Sequence, residues 1–558
     1  MGENLLLAIA QLNPVVGDIT GNAAKLMEAW RDARGRDAHL VITSELFLTG
    51  YVPDDFILKP RLWKILRETV DALARDTATG PAILLGTPWV VDDKLYNAAL
   101  LLEGGKILCA TYKHELPNYG PFDEKRWFRS GPLPMPFLWN GTKLGVMLCE
   151  DMWEKDVTKN LCEFGANLLI VMNGSPYQIG KQQKRYDIAK ERVLESELSL
   201  VYVNQYGGQD EMVYEGASFV LGTDGEVKVQ ANAWREDLTF VAYTAHNGVF
   251  TPAVGKIEIV PNAESSIYNA IVTGLRDYVT KNGFEKVLLG LSGGIDSALV
   301  AALAVDALGP QNVRCVMMPS DYTSQESRED AKEIGKALGC KLDTIPIQKA
   351  MSVFDEMLVE QFIGCTPDVT EENIQARIRG VLLMALSNKS GAMLLSTGNK
   401  SELATGYVTL YGDMCGGYAP LCDLYKTQVY KLAKWRNENK PEGGKGPAGM
   451  IFSQRLLDKA PSAELAVGQK DQDTLPPYET LDDILKCLIE QDLGVSEITM
   501  MGHDPIIIRR VYTMLDKSEF KRRQGAPGPK ISRRHLRKDR RYPITNRFAD
   551  RWRTQQTD

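Results

Sequence analysis

The chain has 558 residues, enough for two to four domains with sizeable cores. A formal net charge of −7 argues against a general binder of nucleic acid or membrane surfaces, and no apolar run approaches the roughly 20 residues of a membrane helix. Nine cysteines lie scattered without CxxC pairs or His/Cys clusters, so neither a disulfide framework nor a zinc site is indicated; with no basic signal-like N-terminus, a cytoplasmic protein is expected.

In chain order, 5–11 and 40–44 read as strands with a helical stretch over 22–34 between them, and 82–86 and 168–172 add buried strands. Gly104-Gly105 and Asp224-Gly225, each inside an apolar run, mark hairpins. Three apolar runs of this region end on chemically distinct side chains: Glu45 after 40–44, Lys113 after 107–112 and Cys149 after 143–148. A lone cysteine at a strand exit is usually core. A carboxylate and an ammonium at two other exits change that reading, because Glu45 can take a thiol proton, Cys149 can attack an amide carbonyl and a cationic Lys113 can stabilise the oxyanion.

From 244 to 265 the chain turns loop-like, with Asn247-Gly248, Pro252, Gly255, Pro261 and Asn262. A linker is therefore placed at 246–265, between a first domain at 1–245 and a second at 266–558. A helix over 266–282 leads into the apolar run 286–292 and the segment Gly290-Leu291-Ser292-Gly293-Gly294-Ile295-Asp296-Ser297, followed by helix formers to 308. This is a strand-to-helix turn whose glycines admit a ligand and whose helix N–H groups attract phosphate oxygens. A Walker loop would carry Gly-Lys-Ser/Thr at the helix start; here no lysine stands ready for a γ-phosphate. The pattern suits a β,γ-pyrophosphate leaving group, with Asp296 available for Mg²⁺; the bland alternative is an ordinary glycine-rich turn. Strands near 313–317, 342–346 and 393–396 alternate with helices, which predicts a doubly wound parallel sheet with the loop at its carboxyl edge. The stretch 437–447 reads as a mobile loop. The tail 521–553 holds thirteen Lys/Arg against two Asp, which fits a solvated tail or subunit contact as well as a function.

Ser292-Gly293-Gly294-Ile295-Asp296-Ser297 resembles the signature of the N-type ATP pyrophosphatases, which adenylate a substrate oxygen and then displace AMP with a nucleophile. The contexts Ser44-Glu45-Leu-Phe-Leu-Thr-Gly50-Tyr51, Tyr112-Lys113-His-Glu-Leu-Pro-Asn-Tyr119 and Leu148-Cys149-Glu-Asp-Met-Trp153 resemble the nitrilase superfamily. Joined in one chain they read as a glutamine-dependent amidotransferase, and nearly the whole length resembles the glutamine-dependent NAD⁺ synthetase family. That resemblance implies an α/β protein: an N-terminal nitrilase-like α/β/β sandwich and a C-terminal Rossmann-like ATP pyrophosphatase domain. It implies catalysis by Glu45, Lys113 and Cys149. It implies a glutamine pocket at Tyr119, Glu124, Ser175 and Lys181, with Glu124 receiving the α-ammonium and Tyr51 and Trp153 as walls. ATP would lie on Gly290 to Ser297, Thr397, Lys426 and Ser462, with Mg²⁺ on Asp296 and Glu402. Deamido-NAD⁺ would lie on Asn373, Arg377, Glu402 and Lys521. Ammonia would pass between the sites, in a homo-oligomer of up to eight copies. The same architecture with another carboxyl or carbonyl acceptor, and a non-catalytic nucleotide-binding scaffold, are the alternatives. Intact Glu45, Lys113, Cys149, Asp296 and Glu402 speak against the scaffold.

Overall fold

The computed structural model describes residues 4–246 and 248–546; the end of the basic tail from 547 on, the first three residues and Asn247 of the expected linker lie outside them. The chain divides into two compact units, Met1–Phe284 with Pro529–Ile531, and Glu285–Gly528 with Ser532–Asp558.

In the first unit, a seven-stranded sheet runs Val249–Pro252, Asp237–His246, Asn4–Gln11, Leu40–Ile42, Ala82–Val91, Lys94–Glu103, Lys106–Tyr112. A six-stranded sheet runs Val227–Gln230, Phe219–Leu221, Leu200–Asn204, Leu168–Asn173, Thr142–Leu148, Phe137–Trp139. The two-residue period of a strand explains the layering. In Asn4–Gln11, Leu5, Leu7 and Ile9 enter a core shared with Leu144, Val146 and Ile170 of the other sheet, while Ala8 and Ala10 face the opposite core. That outer core is closed by helices Ile19–Arg34 and Pro60–Asp76, the latter presenting Leu62, Leu66, Val70 and Leu73 at helical spacing. Ala189 and Val193 of helix Lys181–Ser196 belong to a third core, on the far face of the second sheet. Both expected hairpins form, at Gly104-Gly105 and around Asp224-Gly225.

The segment expected as linker, 246–265, contains strand Val249–Pro252 of the larger sheet. Helix Ala263–Lys281, expected to open the second domain, packs on the hairpin Tyr206–Gln209/Met212–Glu215 of the first unit. The contact boundary therefore falls after Phe284. Polar contacts join the helix to that unit: buried Asp277 accepts hydrogen bonds from Asn13 Nδ2 at 2.7 Å and the Gly208 N–H at 2.8 Å.

The second unit is built on a four-stranded, all-parallel sheet ordered Lys341–Thr344, Val313–Met317, Val287–Gly290, Met393–Leu395. Helix Ile295–Leu308 is apolar all round and almost wholly buried, as a helix sandwiched within a domain must be. The stretch 437–447, expected to be mobile, is anchored: Arg436 Nη2 donates to Pro447 O at 2.7 Å, and the Lys445 N–H to Asp306 O at 2.9 Å. Among the described residues no helix is long and apolar enough to cross a membrane.

Candidate active sites

Three strand exits deliver the first centre. Glu45 follows Leu40–Ile42, Lys113 follows Lys106–Tyr112 and Cys149 follows Thr142–Leu148. The buried Lys113 Nζ donates to Glu45 Oε1 at 2.6 Å and to Glu124 Oε1 at 2.9 Å. Glu45 also accepts from Asn97 Nδ2 at 2.8 Å and, on Oε2, from the Gly174 N–H at 2.9 Å. Cys149 has a φ of 47°, a conformation side chains disfavour and active sites often hold, and it opens a short turn, Cys149–Met152. Asp151 locks that turn. Its Oδ2 accepts the Leu148 N–H at 3.0 Å, and its Oδ1 accepts those of His114 and Glu115 at 3.0 and 2.8 Å. One buried carboxylate thus ties the residue before the thiol to the residues after the ammonium.

Burial alone would lower the Lys113 ammonium, but Glu124 and Glu45 outweigh it and hold the group cationic. Burial pushes the Cys149 thiol up, reinforced by Glu45 and opposed by Lys113. The thiol is therefore protonated at rest and needs a base before it can attack. Burial likewise pushes Glu124 up to about 7, against the pull of Lys113. The expected role of Glu124 as receiver of a substrate ammonium does not fit its placement. It is fully buried, and the oxygen that binds Lys113 also accepts the Tyr51 hydroxyl at 2.7 Å, so its carboxylate faces the Lys113 ammonium instead.

The other expected pocket residues are distributed around this cluster. Tyr119, 57% exposed, donates its hydroxyl to Glu150 Oε1 at 2.9 Å and packs edge-on against Phe122. Lys181 Nζ lies 5.9 Å from the Phe122 ring centroid, and burial lowers its ammonium to about 8. Ser175 is buried, its Oγ accepting from Arg185 Nε at 3.1 Å. The Trp153 ring lies 5.1 Å from Lys184 Nζ.

The second centre is a cavity of about 290 Å³ at the carboxyl edge of the parallel sheet, close to the size of small-molecule pockets. Gly290, Leu291, Ser292, Gly294, Ile295, Asp296 and Ser297 line it, together with Thr397, Glu402, Lys426 and Ser462. Gly293 backs the loop: at φ 83° a Cβ there would lie 2.1 Å from Ser327 O, so only glycine fits. Lys426 Nζ pairs with Asp296 Oδ2 and lies 3.6 Å from Glu402 Oε1, while Asn399 Nδ2 donates to Asp296 Oδ1 at 2.9 Å. Burial opposes the charge of Lys426, yet the two carboxylates raise it; burial and Asp296 together push Glu402 up to about 8.

Asn373, Arg377 and Lys521 do not line this cavity; they gather on the segment 406–410. Asn373 Oδ1 accepts from Thr409 Oγ1 at 2.8 Å, Arg377 Nε donates to Leu410 O at 3.2 Å, and Lys521 Nζ donates to Gly406 O and Val408 O at 2.8 and 2.7 Å. Tyr407 and Val408 of that segment reach the cavity wall, so the three residues border it at one remove.

Family profiles match both halves: carbon-nitrogen hydrolase over residues 6–247 and NAD synthase over 267–525. The glutamine-dependent NAD(+) synthetase of Rhodobacter capsulatus is 47% identical over 550 residues, covering 99% of this chain and 100% of that protein. That of Thermotoga maritima is 42% identical, covering 98% and 100%. The solved structure of the Acinetobacter baumannii glutamine-dependent NAD+ synthetase in complex with ADP is similar with a TM-score of 0.78 and 40% identity, covering 97% of this chain and 98% of that one. The chain belongs to the glutamine-dependent NAD(+) synthetases.

Both centres of this synthetase contain residues that sequence reasoning passed over. Asn97 lies mid-strand and the Gly174 N–H is backbone, and neither carries a side-chain signal. Asp151 stood two residues after Cys149, where a carboxylate so near a thiol could have been read as a turn lock. Arg379 lines the cavity, donating from Nε to Met318 O at 3.1 Å, with burial lowering its guanidinium to about 10. Residues two apart on a helix point to nearly opposite sides, so only one of Arg377 and Arg379 could enter the cavity, and sequence offered no way to choose. Asp296 and Glu402 are hard oxygen donors that fit Mg²⁺ in kind. They are too few alone, and no group of three or more His, Cys, Asp or Glu able to hold a metal occurs among the described residues, so a bound ion would need phosphate oxygens or water to complete its shell.

Proposed function

We propose that this chain amidates deamido-NAD⁺ to NAD⁺ with ammonia drawn from glutamine, at the expense of ATP converted to AMP and pyrophosphate. At the first centre, Glu45 takes the Cys149 proton and the thiolate attacks the side-chain amide carbon of glutamine. The Lys113 ammonium stabilises the oxyanion. Glu45 returns the proton as ammonia leaves, then activates the water that hydrolyses the thioester to glutamate. Lys113 can serve only while cationic, and the paired carboxylates of Glu45 and Glu124 ensure that it is.

At the second centre, the nicotinate carboxylate attacks the α-phosphorus of ATP and pyrophosphate departs. Ammonia then attacks the acyl adenylate and AMP departs. The N–H groups of the 290–297 loop suit the departing pyrophosphate, and Arg379 is a buried cation on the same cavity. Asp296 and Glu402 would hold Mg²⁺, which would offset the phosphate charge; Lys426 neutralises the same two carboxylates. Asn373, Arg377 and Lys521, bordering the cavity, suit the dinucleotide.

What carries this reading is a buried Glu45–Lys113 pair beside Cys149 in the same chain as a Ser-Gly-Gly-x-Asp-Ser loop that lines a cavity of about 290 Å³. Purified protein given deamido-NAD⁺, ATP, Mg²⁺ and glutamine should form NAD⁺, glutamate, AMP and pyrophosphate in equal amounts. Release of ADP and phosphate in their place would contradict the adenylation step.

A further inference from the structure

Arg185 has no exposed surface and lies on helix Lys181–Ser196, outside the Glu45–Lys113–Cys149 cluster. Its guanidinium nonetheless makes a complete set of contacts to the loop that follows strand Leu168–Asn173. Nε donates to Ser175 Oγ at 3.1 Å, and Nη2 to Ser175 O at 2.9 Å and Pro176 O at 2.8 Å. Nη1 pairs with Glu215 and donates to Gln182 Oε1 at 2.9 Å. Glu215 is itself buried, at the end of strand Met212–Glu215, and its second oxygen has no hydrogen-bond partner. The planar guanidinium fork is the one side chain able to satisfy that many convergent acceptors.

The clamped loop begins at Gly174, whose N–H donates to Glu45 Oε2. Gly174 also passes against the pocket wall: a Cβ there would lie 2.9 Å from the Tyr51 ring, so loop and base fit without slack. Two functional groups of the first centre therefore depend on where this loop sits. One is the orientation of the Glu45 carboxylate, whose other oxygen is held by Lys113 and Asn97; the other is the Ser175 hydroxyl.

We propose that the buried Arg185–Glu215 pair is the positioning device of the glutamine-hydrolysing centre, fixing the 174–176 loop so that the Gly174 N–H orients Glu45 as the base. The inference rests on the assignment of Glu45, Lys113 and Cys149 to glutamine hydrolysis. A buried ion pair of this kind is poor value for stability alone, since desolvation consumes much of its attraction. Its worth lies in holding three carbonyl and hydroxyl acceptors in one geometry.

The test compares Arg185→Met, Arg185→Lys and Glu215→Gln in the full chain, measuring kcat and KM for glutamine hydrolysis, the ammonia-driven rate and thermal unfolding. Arg185→Met and Glu215→Gln should each lower kcat for glutamine hydrolysis at least ten-fold through Glu45 and raise KM through Ser175. Arg185→Lys, which keeps the cation but not the fork, should fall between them and the unaltered chain. The ammonia-driven rate should not move. If Arg185→Met does not fold, Glu215→Gln, equal in volume, decides. Glutamine kinetics like those of the unaltered chain in any folded variant, or a proportional fall of both activities with the folded fraction, would overturn the proposal. Cys149→Ala run alongside separates the two levels: retained glutamine turnover there would strike the assignment of the centre itself, whereas its loss with unaffected Arg185 variants would strike only the positioning role.

Discussion

Glu124 and Lys113 share a fully buried contact in which each sets the other's charge. With Glu124 pushed up to about 7, its raised value favours the folded state fully at acid pH, and that contribution fades as the pH climbs from the ordinary carboxylate range through about 7. Glutamine hydrolysis should accordingly show an ionisation near neutrality that Glu124→Gln removes, together with a loss of about 100-fold in kcat, since one of two carboxylates holding the ammonium proposed to stabilise the oxyanion is gone. A pH–rate profile unchanged in that variant would place the ionisation elsewhere. Cys149→Ala should abolish glutamine-driven synthesis while ammonia-driven synthesis persists; retained glutamine turnover would mean a different nucleophile. Asp296→Asn removes the charge paired with Lys426 and should suppress adenylation with either nitrogen source while sparing glutamine hydrolysis, as ATP–pyrophosphate exchange would reveal. The gathering of Glu45 and Lys113 at neighbouring strand exits with Cys149 was legible in sequence because each ends an apolar strand-length run, which fixes position as well as residue type. Glu124 was reached only through the family resemblance, which did not reveal that it faces Lys113 across 11 residues of irregular chain.

Strands and helices explain why some boundaries were readable and others were not. Short apolar runs identified Asn4–Gln11 and Leu168–Asn173 to within a residue or two, and the Gly104-Gly105 and Asp224-Gly225 dipeptides identified the two hairpins. The helix Ala263–Lys281 was also predicted as a helix, but its allegiance was not, because allegiance is decided by polar partners distant in sequence. Asp277 satisfies the Gly208 N–H, Arg276 Nη2 donates to the Tyr206 hydroxyl at 2.8 Å, and Lys281 Nζ donates to Gly208 O at 2.8 Å. Removing one acceptor from this buried set leaves donors unpaired, which costs about 1–3 kcal/mol. Asp277→Ala should therefore lower the urea midpoint for loss of glutamine hydrolysis, with little effect on residual activity at zero urea. An unchanged midpoint would mean that the helix is held by its apolar face alone.

The whole chain joins a carbon-nitrogen hydrolase half to an NAD synthase half, and that pairing, more than either half, defines what it does. Free ammonia at neutral pH is mostly protonated and unreactive, so a chain that generates it has reason to use it before it equilibrates with solvent. Deamido-NAD⁺ and ATP together should accelerate glutamine hydrolysis by a coupling of about 1–3 kcal/mol. Hydrolysis indifferent to both would mean that the centres work independently. The most direct measurement supplies glutamine labelled with ¹⁵N in its side-chain amide, together with an excess of unlabelled ammonia, ATP, Mg²⁺ and deamido-NAD⁺. Mass spectrometry then reads the carboxamide of the NAD⁺ formed. The proposed function requires most of that nitrogen to be ¹⁵N; a carboxamide bearing the isotope ratio of the bulk ammonia, or no NAD⁺ at all, would contradict it.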